Sequence, residues 1–192
     1  IYYEGHTTEL SCVGVSPDGK FAGSADRSNR PNIHIFDANT CEHIIVLPLL
    51  HRRGVVSIQF SGDNKMLVSV GQDQDHTIAL WESPSGEWYD GRLLAWNKGD
   101  NHPVLFCQFY NNESYLLGSG GRFHQKFWSV KGKSLNPSYA EYSNKQKLAT
   151  LLSGAAIDEN TFVSGSTTGN LFVWKGRKLE HVIRGHEMGV SG

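Results

Sequence analysis

The sequence carries almost no excess of either charge. Its 18 basic residues meet 19 acidic ones, for a formal net charge of −1 and a pI near 6.8. A protein that grips nucleic acid through its general surface needs a clear positive balance, so no nucleic-acid partner is expected. Cysteine is scarce. Cys12, Cys41 and Cys107 share no paired spacing, which excludes a disulfide framework or a C-x-x-C metal site. Cys12 and Cys107 lie in apolar strand-like runs and read as buried, reduced thiols of a cytoplasmic protein. No apolar run approaches the ~20 residues of a membrane-spanning helix. The opening residues carry no signal-peptide pattern, and no membrane partner is expected. Helical i, i+3, i+4 periodicity is nearly absent. The first residue is Ile1, and the chain reads as a piece of a longer one.

Glycine, in contrast, is plentiful. The 21 glycines are spread along the chain, as suits an all-β protein full of tight turns. Four strand-like stretches end in an aromatic residue: NIHIFD, TIALWE, HQKFWS and NLFVWK. Their anchors are Phe36, Trp81, Trp128 and Trp174, spaced by 45, 47 and 46 residues. Other features keep the same beat. Gly5-His6 is followed by Leu10, Val13 and Val15, and His51 by Val55, Ile58 and Phe60. The third copy keeps the apolar spacing with His102 displaced by two residues, and the fourth, near TLLSGAAID, lacks the histidine. Turn signals follow (SPDGK, SGDNK, YNNES, IDEN), then a second strand (FAGSA, MLVSVG, YLLGSG, TFVSGS). A loop, the aromatic-ended third strand and a less regular fourth strand complete each unit. In the third unit the fourth strand is expected around 139–143.

Each unit therefore reads as four short strands joined by turns. A lone four-stranded sheet cannot bury both faces. Stacking such sheets around an axis buries them and leaves only short edges. The recurring aromatic is then a core spacer between neighbouring sheets. The expected units run over about 6–50, 51–98, 100–143 and 146–185, with 186–192, including Gly185-His186 and Val190, opening a further one. All of them are expected to belong to one domain, incomplete at both ends and covered there by the rest of the parent chain.

The ~45-residue period, the GH start and the WD-like end resemble the WD-repeat β-propeller family. Only the first unit keeps the Asp after the anchor, as Phe36-Asp37. The resemblance implies a structural tetrad of His, Asp, Ser and Trp, which the second unit can supply from His51, Asp75, Ser69 and Trp81. In the other units the position six before the anchor holds Arg30, Arg122 or Thr168, so there the tetrad is expected to be broken. His6 and His186 occupy the same repeat-start position as His51. More specific stretches are GQDQDHTIALW, FWSVKGKSLN with its Lys-rich follow-on NKQKL, and SGSTTGNLFVWKG leading to IRGHEMGV. Together they resemble the first propeller of the echinoderm microtubule-associated-protein-like family. That resemblance implies a non-catalytic scaffold with protein partners, tubulin and microtubules foremost, in the cytoplasm on the cytoskeleton, including that of a cilium or axoneme. The alternative is a generic WD-repeat adaptor of a ciliary or signalling complex.

Catalytic signatures are missing: no H-E-x-x-H, C-x-x-C or G-x-S-x-G occurs. The glycines of GSGG (118–121) lack the Lys-Ser/Thr and the helix that a phosphate loop needs. Asp73 and Asp75 lack the spacing and the bidentate Glu of a calcium loop. No enzyme activity, cofactor or metal is therefore expected. Among the nine histidines, His76 and His124 are worth watching, because they fall in or beside loops that a propeller gathers on one rim. The same rim would carry Arg27, Arg30, Arg52, Arg53 and Arg122. Arginine pairs bidentately with carboxylates, so this rim is the candidate surface for an acidic protein partner. Lys131, Lys133, Lys175, Arg177 and Lys178 would fall on the opposite face.

Overall fold

The computed structural model describes residues 3–111, 114–142 and 148–190. Within them the chain forms sixteen strands and no helix, arranged as four antiparallel four-stranded sheets whose strands pair in chain order. The chain divides into two compact units, residues 1–99 and 100–192.

The first unit holds two sheets. One is β1 (Leu10–Val15), β2 (Phe21–Asp26), β3 (Ile33–Asp37) and β4 (His43–Leu47). The other is β5 (Val55–Phe60), β6 (Met66–Gly71), β7 (Ile78–Glu82) and β8 (Arg92–Asn97). A shared core of Phe21, Ile35, Leu47, Ile58, Phe60, Leu67, Trp81 and Trp88 seals them together. The sheets approach closely because Gly14 has no side chain: a Cβ there would lie 2.9 Å from the Ile58 carbonyl oxygen. The turn joining β1 to β2 is built by its own residues. Ser16 Oγ accepts from the Phe21 amide at 2.8 Å and donates to Asp18 Oδ1 at 2.6 Å, and Gly19 takes the left-handed conformation. The β5–β6 turn repeats this with Ser61, Asp63 and a left-handed Asn64, the non-glycine residue that tolerates that conformation best.

The second unit likewise holds two sheets. One is β9 (Val104–Asn111), β10 (Leu116–Gly121), β11 (His124–Lys131) and β12 (Ser134–Tyr139). The other is β13 (Leu151–Ala156), β14 (Thr161–Ser166), β15 (Asn170–Lys175) and β16 (Lys178–Arg184). Its core is aromatic: Phe106, Tyr110, Phe127, Phe162, Phe172 and Trp174 are buried together with Leu148 and Leu151.

The repeat extends to backbone irregularities. Every first strand has a register shift just inside its start, between Leu10 and Cys12, Val55 and Ser57, Val104 and Phe106, and Leu151 and Ser153. Three sheets have a second shift immediately before the aromatic anchor, at Ile35/Phe36, Leu80/Trp81 and Val173/Trp174. Such bulges increase the local twist. Trp81, Trp128 and Trp174 are fully buried, whereas Phe36 is half-buried, with Tyr3 stacked on its ring at 4.2 Å.

Two expectations change. The fourth strand of the third sheet is β12, not a stretch around 139–143; a tight turn at the left-handed Gly132 starts it at Ser134. Trp88, unremarked in the sequence, is a fully buried core residue. Residue 143, residues 144–147 of the NKQKL stretch, Asn112 and Glu113 of the YNNES turn, and residues 191–192 lie outside the described residues.

Candidate interaction site

In the second sheet, Trp81 Nε1 donates to Ser69 Oγ at 2.8 Å, and Ser69 Oγ lies 2.7 Å from His51 Nε2. Indole N–H can only donate, so the serine hydrogen is free to go to His51 Nε2, which leaves Nδ1–H for a carboxylate. That carboxylate is Asp73, at 3.7 Å, and not Asp75. Asp75 is exposed and pairs with Lys98 at 2.9 Å. Burial opposes the charge on Asp73, but the nearby His51 ring and the hydrogen bonds from Thr77 outweigh it and hold the carboxyl well below the usual range. The Thr77 hydroxyl and amide both donate to Asp73 Oδ1, at 2.8 and 3.1 Å.

The first sheet also builds such a network, contrary to the expectation drawn from Arg30. His6 Nε2 lies 2.7 Å from Ser24 Oγ, and His6 Nδ1 lies 3.3 Å from Asp26 Oδ2. The acid comes from the end of β2 rather than from the position six before the anchor. Phe36 has no N–H, so the chain ends at Ser24. Around it, the His34 ring lies tilted against His6, with centres 4.1 Å apart, and its Nδ1 is 2.7 Å from the Tyr3 hydroxyl oxygen. Burial, followed by the neighbouring His6 and His43, lowers its pKa to about 4.

The third sheet uses different chemistry. His6 and His51 each stand four residues before the first strand, and there the third sheet has Asp100. Its Oδ2 is 3.0 Å from the Nζ of Lys126; the lysine is buried and the Asp100 side chain is largely covered. Trp128 Nε1 still donates to Ser119 Oγ at 2.8 Å. The exposed His102 packs beside Asp100, with Nδ1 at 3.3 Å. Burial works against the Asp100 charge, yet the His102 amide and Lys126 bring its pKa to about 2. In the fourth sheet Trp174 donates to Ser164 at 2.8 Å, and Thr168 bonds Ser166 at 3.0 Å. His186 is exposed beyond β16, its amide held by the Gly169 carbonyl.

The rim residues of the first unit are on adjoining loops. Arg27, Arg30, Arg52 and Arg53 are exposed, and none forms an ion pair among the described residues. Asn29, Arg52, Arg53, Asp73 and Gln74 line a surface hollow of about 270 Å³. Gly54, with φ 142°, leaves room for the Gln72 amide, whose Oε1 would lie 2.8 Å from a Cβ there. Arg53 and His76 both have positive φ, at 69° and 48°. In the second unit Arg122 is exposed, with its guanidinium 5.3 Å from the Phe123 ring centre. His124 is 7% exposed and belongs to the interior rather than the rim. Of the opposite set, Arg177 is tied to Glu141 at 2.6 Å. Among the described residues no three His, Cys, Asp or Glu side chains are placed to hold a metal. Burial pushes the Cys12 thiol up to about 12 and that of Cys107 higher, against thiolate chemistry.

The comparison with known proteins decides the family. The model of the echinoderm microtubule-associated protein first beta-propeller matches residues 1–192. The chain belongs to this family. It is 27% identical to echinoderm microtubule-associated protein-like 1 of Rattus norvegicus over 98% of its length, covering 24% of that protein. It is 28% identical to the Rattus norvegicus protein-like 2, over 98% of the chain and 30% of the relative. The 77 kDa echinoderm microtubule-associated protein of Lytechinus variegatus gives 27%, with 98% and 30% covered. The chain thus spans about a quarter to a third of these relatives. Among solved structures, the β-propeller domain of Cps50 (Swd1) from Myceliophteria thermophila superposes with a TM-score of 0.80 at 14% identity, over the whole chain and 60% of that domain. U3-55K gives 0.70 at 21% identity, over 94% of the chain and 51% of that one. These establish the fold alone. The four sheets are blades of a β-propeller.

Proposed function

We propose that the chain is part of a non-catalytic protein-interaction platform, and that the arginine-bearing loops of its first unit meet an acidic surface of tubulin or the microtubule. On this reading the protein works on the cytoskeleton, and the four blades belong to one propeller domain. The observation that carries it is the group of exposed arginines with no ion pair among the described residues: Arg27, Arg30, Arg52 and Arg53. Guanidinium groups left unpaired on loops are free to take carboxylates in fork geometry. His76 is on the same loop as Asp73 and Gln74, which line the hollow with Arg52 and Arg53, and Arg122 is at the equivalent repeat position of the second unit. The relatives' names supply the partner, a microtubule.

The test is microtubule co-sedimentation of the full-length protein with Arg52→Glu and Arg53→Glu combined. Both side chains are exposed, so folding is expected to survive. The expected result is a marked loss of pelleting by the variant, and wild-type pelleting that weakens as salt rises, because rim charges are screened within a Debye length of about 8 Å at physiological ionic strength. Unchanged pelleting with intact folding removes this rim, and a wild-type protein that stays in the supernatant points to the generic adaptor instead.

A further inference from the structure

The third blade contains polar groups that its own structure leaves unused. Gln125, near the start of β11, is 2% exposed, yet neither Nε2 nor Oε1 of its amide has a hydrogen-bond partner among the described residues. Its neighbour His124 is also buried, and its Nε2 is unpartnered too. Buried polar side chains are nearly always paired, so two adjacent exceptions need an explanation. Both residues line a cleft of about 370 Å³, walled by Tyr139, Ala140, Glu141 and Tyr142. The backbone of Gln125 is satisfied, since its carbonyl accepts from the Ala140 amide at 3.2 Å. Only the side chains lack partners, and their three polar atoms are almost sealed from solvent.

Their hydrogen-bonding sense can be read. His124 Nδ1 lies 3.2 Å from the Arg122 carbonyl oxygen, which can only accept, so Nδ1 carries the hydrogen and Nε2 presents a lone pair. Burial lowers the pKa of His124 and keeps the ring neutral. The cleft therefore asks for one acceptor and two donors: a carbonyl for Gln125 Nε2, an N–H for Gln125 Oε1 and an N–H for His124 Nε2. A peptide bond supplies the first two side by side, and the next residue of an extended chain supplies the third. The charges nearby are already matched, Lys126 by Asp100 at 3.0 Å and Glu141 by Arg177 at 2.6 Å. An uncharged stretch of main chain fits better than a carboxylate or phosphate. The outer walls are tyrosines, Tyr139 being 68% exposed, and tyrosine is enriched where proteins bind peptides and one another.

We infer that the cleft between His124, Gln125, Tyr139 and Tyr142 is a docking site for an extended, uncharged peptide segment of a partner protein, held by its backbone on the Gln125 amide and His124 Nε2. The inference rests on the protein-interaction reading above and is independent of the arginine rim.

The probe is a phage-displayed library of random dodecapeptides, selected on the immobilised full-length protein. Enriched peptides are then measured by fluorescence polarisation. The expected result is enrichment of uncharged sequences whose affinity falls at least about tenfold on Gln125→Leu, on Tyr139→Ala and on N-methylation of one peptide amide. Gln125→Leu is expected to fold, because an unpaired buried amide is lost without cost. If it does not, Tyr139→Ala decides the matter from the surface. No enriched peptide, or peptides bound equally by both variants, overturns the inference and leaves ordered water as the partner of the amide. Microtubule pelleting of the same variants separates the two ideas: if the peptide result fails while pelleting persists, only the cleft is lost. If pelleting fails in the wild type while the peptide binds, only the tubulin reading is lost.

Discussion

Replacing Ser69 by alanine tests whether the buried network of the second blade acts as a unit. Ser69 is fully buried and its hydroxyl serves two partners, accepting from Trp81 Nε1 at 2.8 Å and meeting His51 Nε2 at 2.7 Å. Ser69→Ala strands both, and each orphaned buried polar group costs about 1–3 kcal/mol. The expected loss is therefore about 2–6 kcal/mol. The same change at Ser164 strands only Trp174 Nε1, and at Ser24 only His6 Nε2, so each should cost about 1–3 kcal/mol. The assay is native-state hydrogen exchange by mass spectrometry on the full-length protein, following peptides from β6 and β7, from β14 and β15, and from β2 and β3. Local opening free energies are compared blade by blade. Ser69→Ala combined with Trp81→Phe should show a coupling energy of the order of 1 kcal/mol, since the second change removes a donor the first has already stranded. The reasoning is refuted if Ser69→Ala opens its blade no more than Ser164→Ala opens the fourth, or if the pair is simply additive.

Lys126→Met should destabilise the third blade by about 3–5 kcal/mol by leaving Asp100 largely covered without its cation; the double variant with Asp100→Asn should recover most of this in the same exchange measurement. Gly154→Ala places a Cβ 2.5 Å from the rings of Phe106 and Phe162, for an expected cost of about 1–3 kcal/mol, whereas exposed Gly132, with nothing within 4 Å, should lose only about 1 kcal/mol through its positive φ. The His34 pKa falls from 6.5 to about 4 on folding, so the unfolded chain binds more protons between those values. Stability from this group is complete above pH 6.5 and is lost as the pH falls towards 4; His34→Gln should flatten thermal unfolding across that window, and an unchanged profile would refute the assignment.

The strands and anchors were legible because apolar alternation and a large aromatic at a fixed offset are dictated by burial between sheets. The acids were not. Counting back from the anchor reaches Asp75 in the second blade, but the loop after β6 turns on Asp73, which spends its Oδ1 on the Asp75 and Thr77 amides and faces His51 with Oδ2. In the first blade the acid is Asp26, at the strand end, where no fixed count from Phe36 would look. His102 was read as the displaced histidine, while the residue four before the strand, Asp100, had taken that place and drawn in Lys126. Two misses had signals. SPSGEW (83–88) copies SPDGKF (16–21), and the structures match: the Trp88 amide donates to Ser83 Oγ at 2.9 Å, as the Phe21 amide does to Ser16 Oγ at 2.8 Å. Trp88 was thus marked as the equivalent of core residue Phe21. Likewise KGKS (131–134) matches KGRK (175–178), and both turn on a glycine with φ near 57°, which locates β12.

The buried networks and the exposed rim share their carboxylates. Asp26 holds His6 with one oxygen, and with the other accepts from Ser28 Oγ at 2.9 Å and the Asn32 amide at 3.3 Å. It therefore ties down both ends of the loop that bears Arg27 and Arg30. Asp73 does the same for residues 74–76, beside Arg52 and Arg53. A loop fixed in this way loses less conformational freedom when it binds, so more of its interaction energy appears as affinity. The strand-end acid is then constrained twice, by the histidine inside and by the loop outside. That accounts for a first blade that joins His6, Ser24 and Asp26 although Phe36 stands where the other blades have a tryptophan donor. The donor stabilises only the sheet, whereas the acid also sets the shape of the surface that carries the arginines.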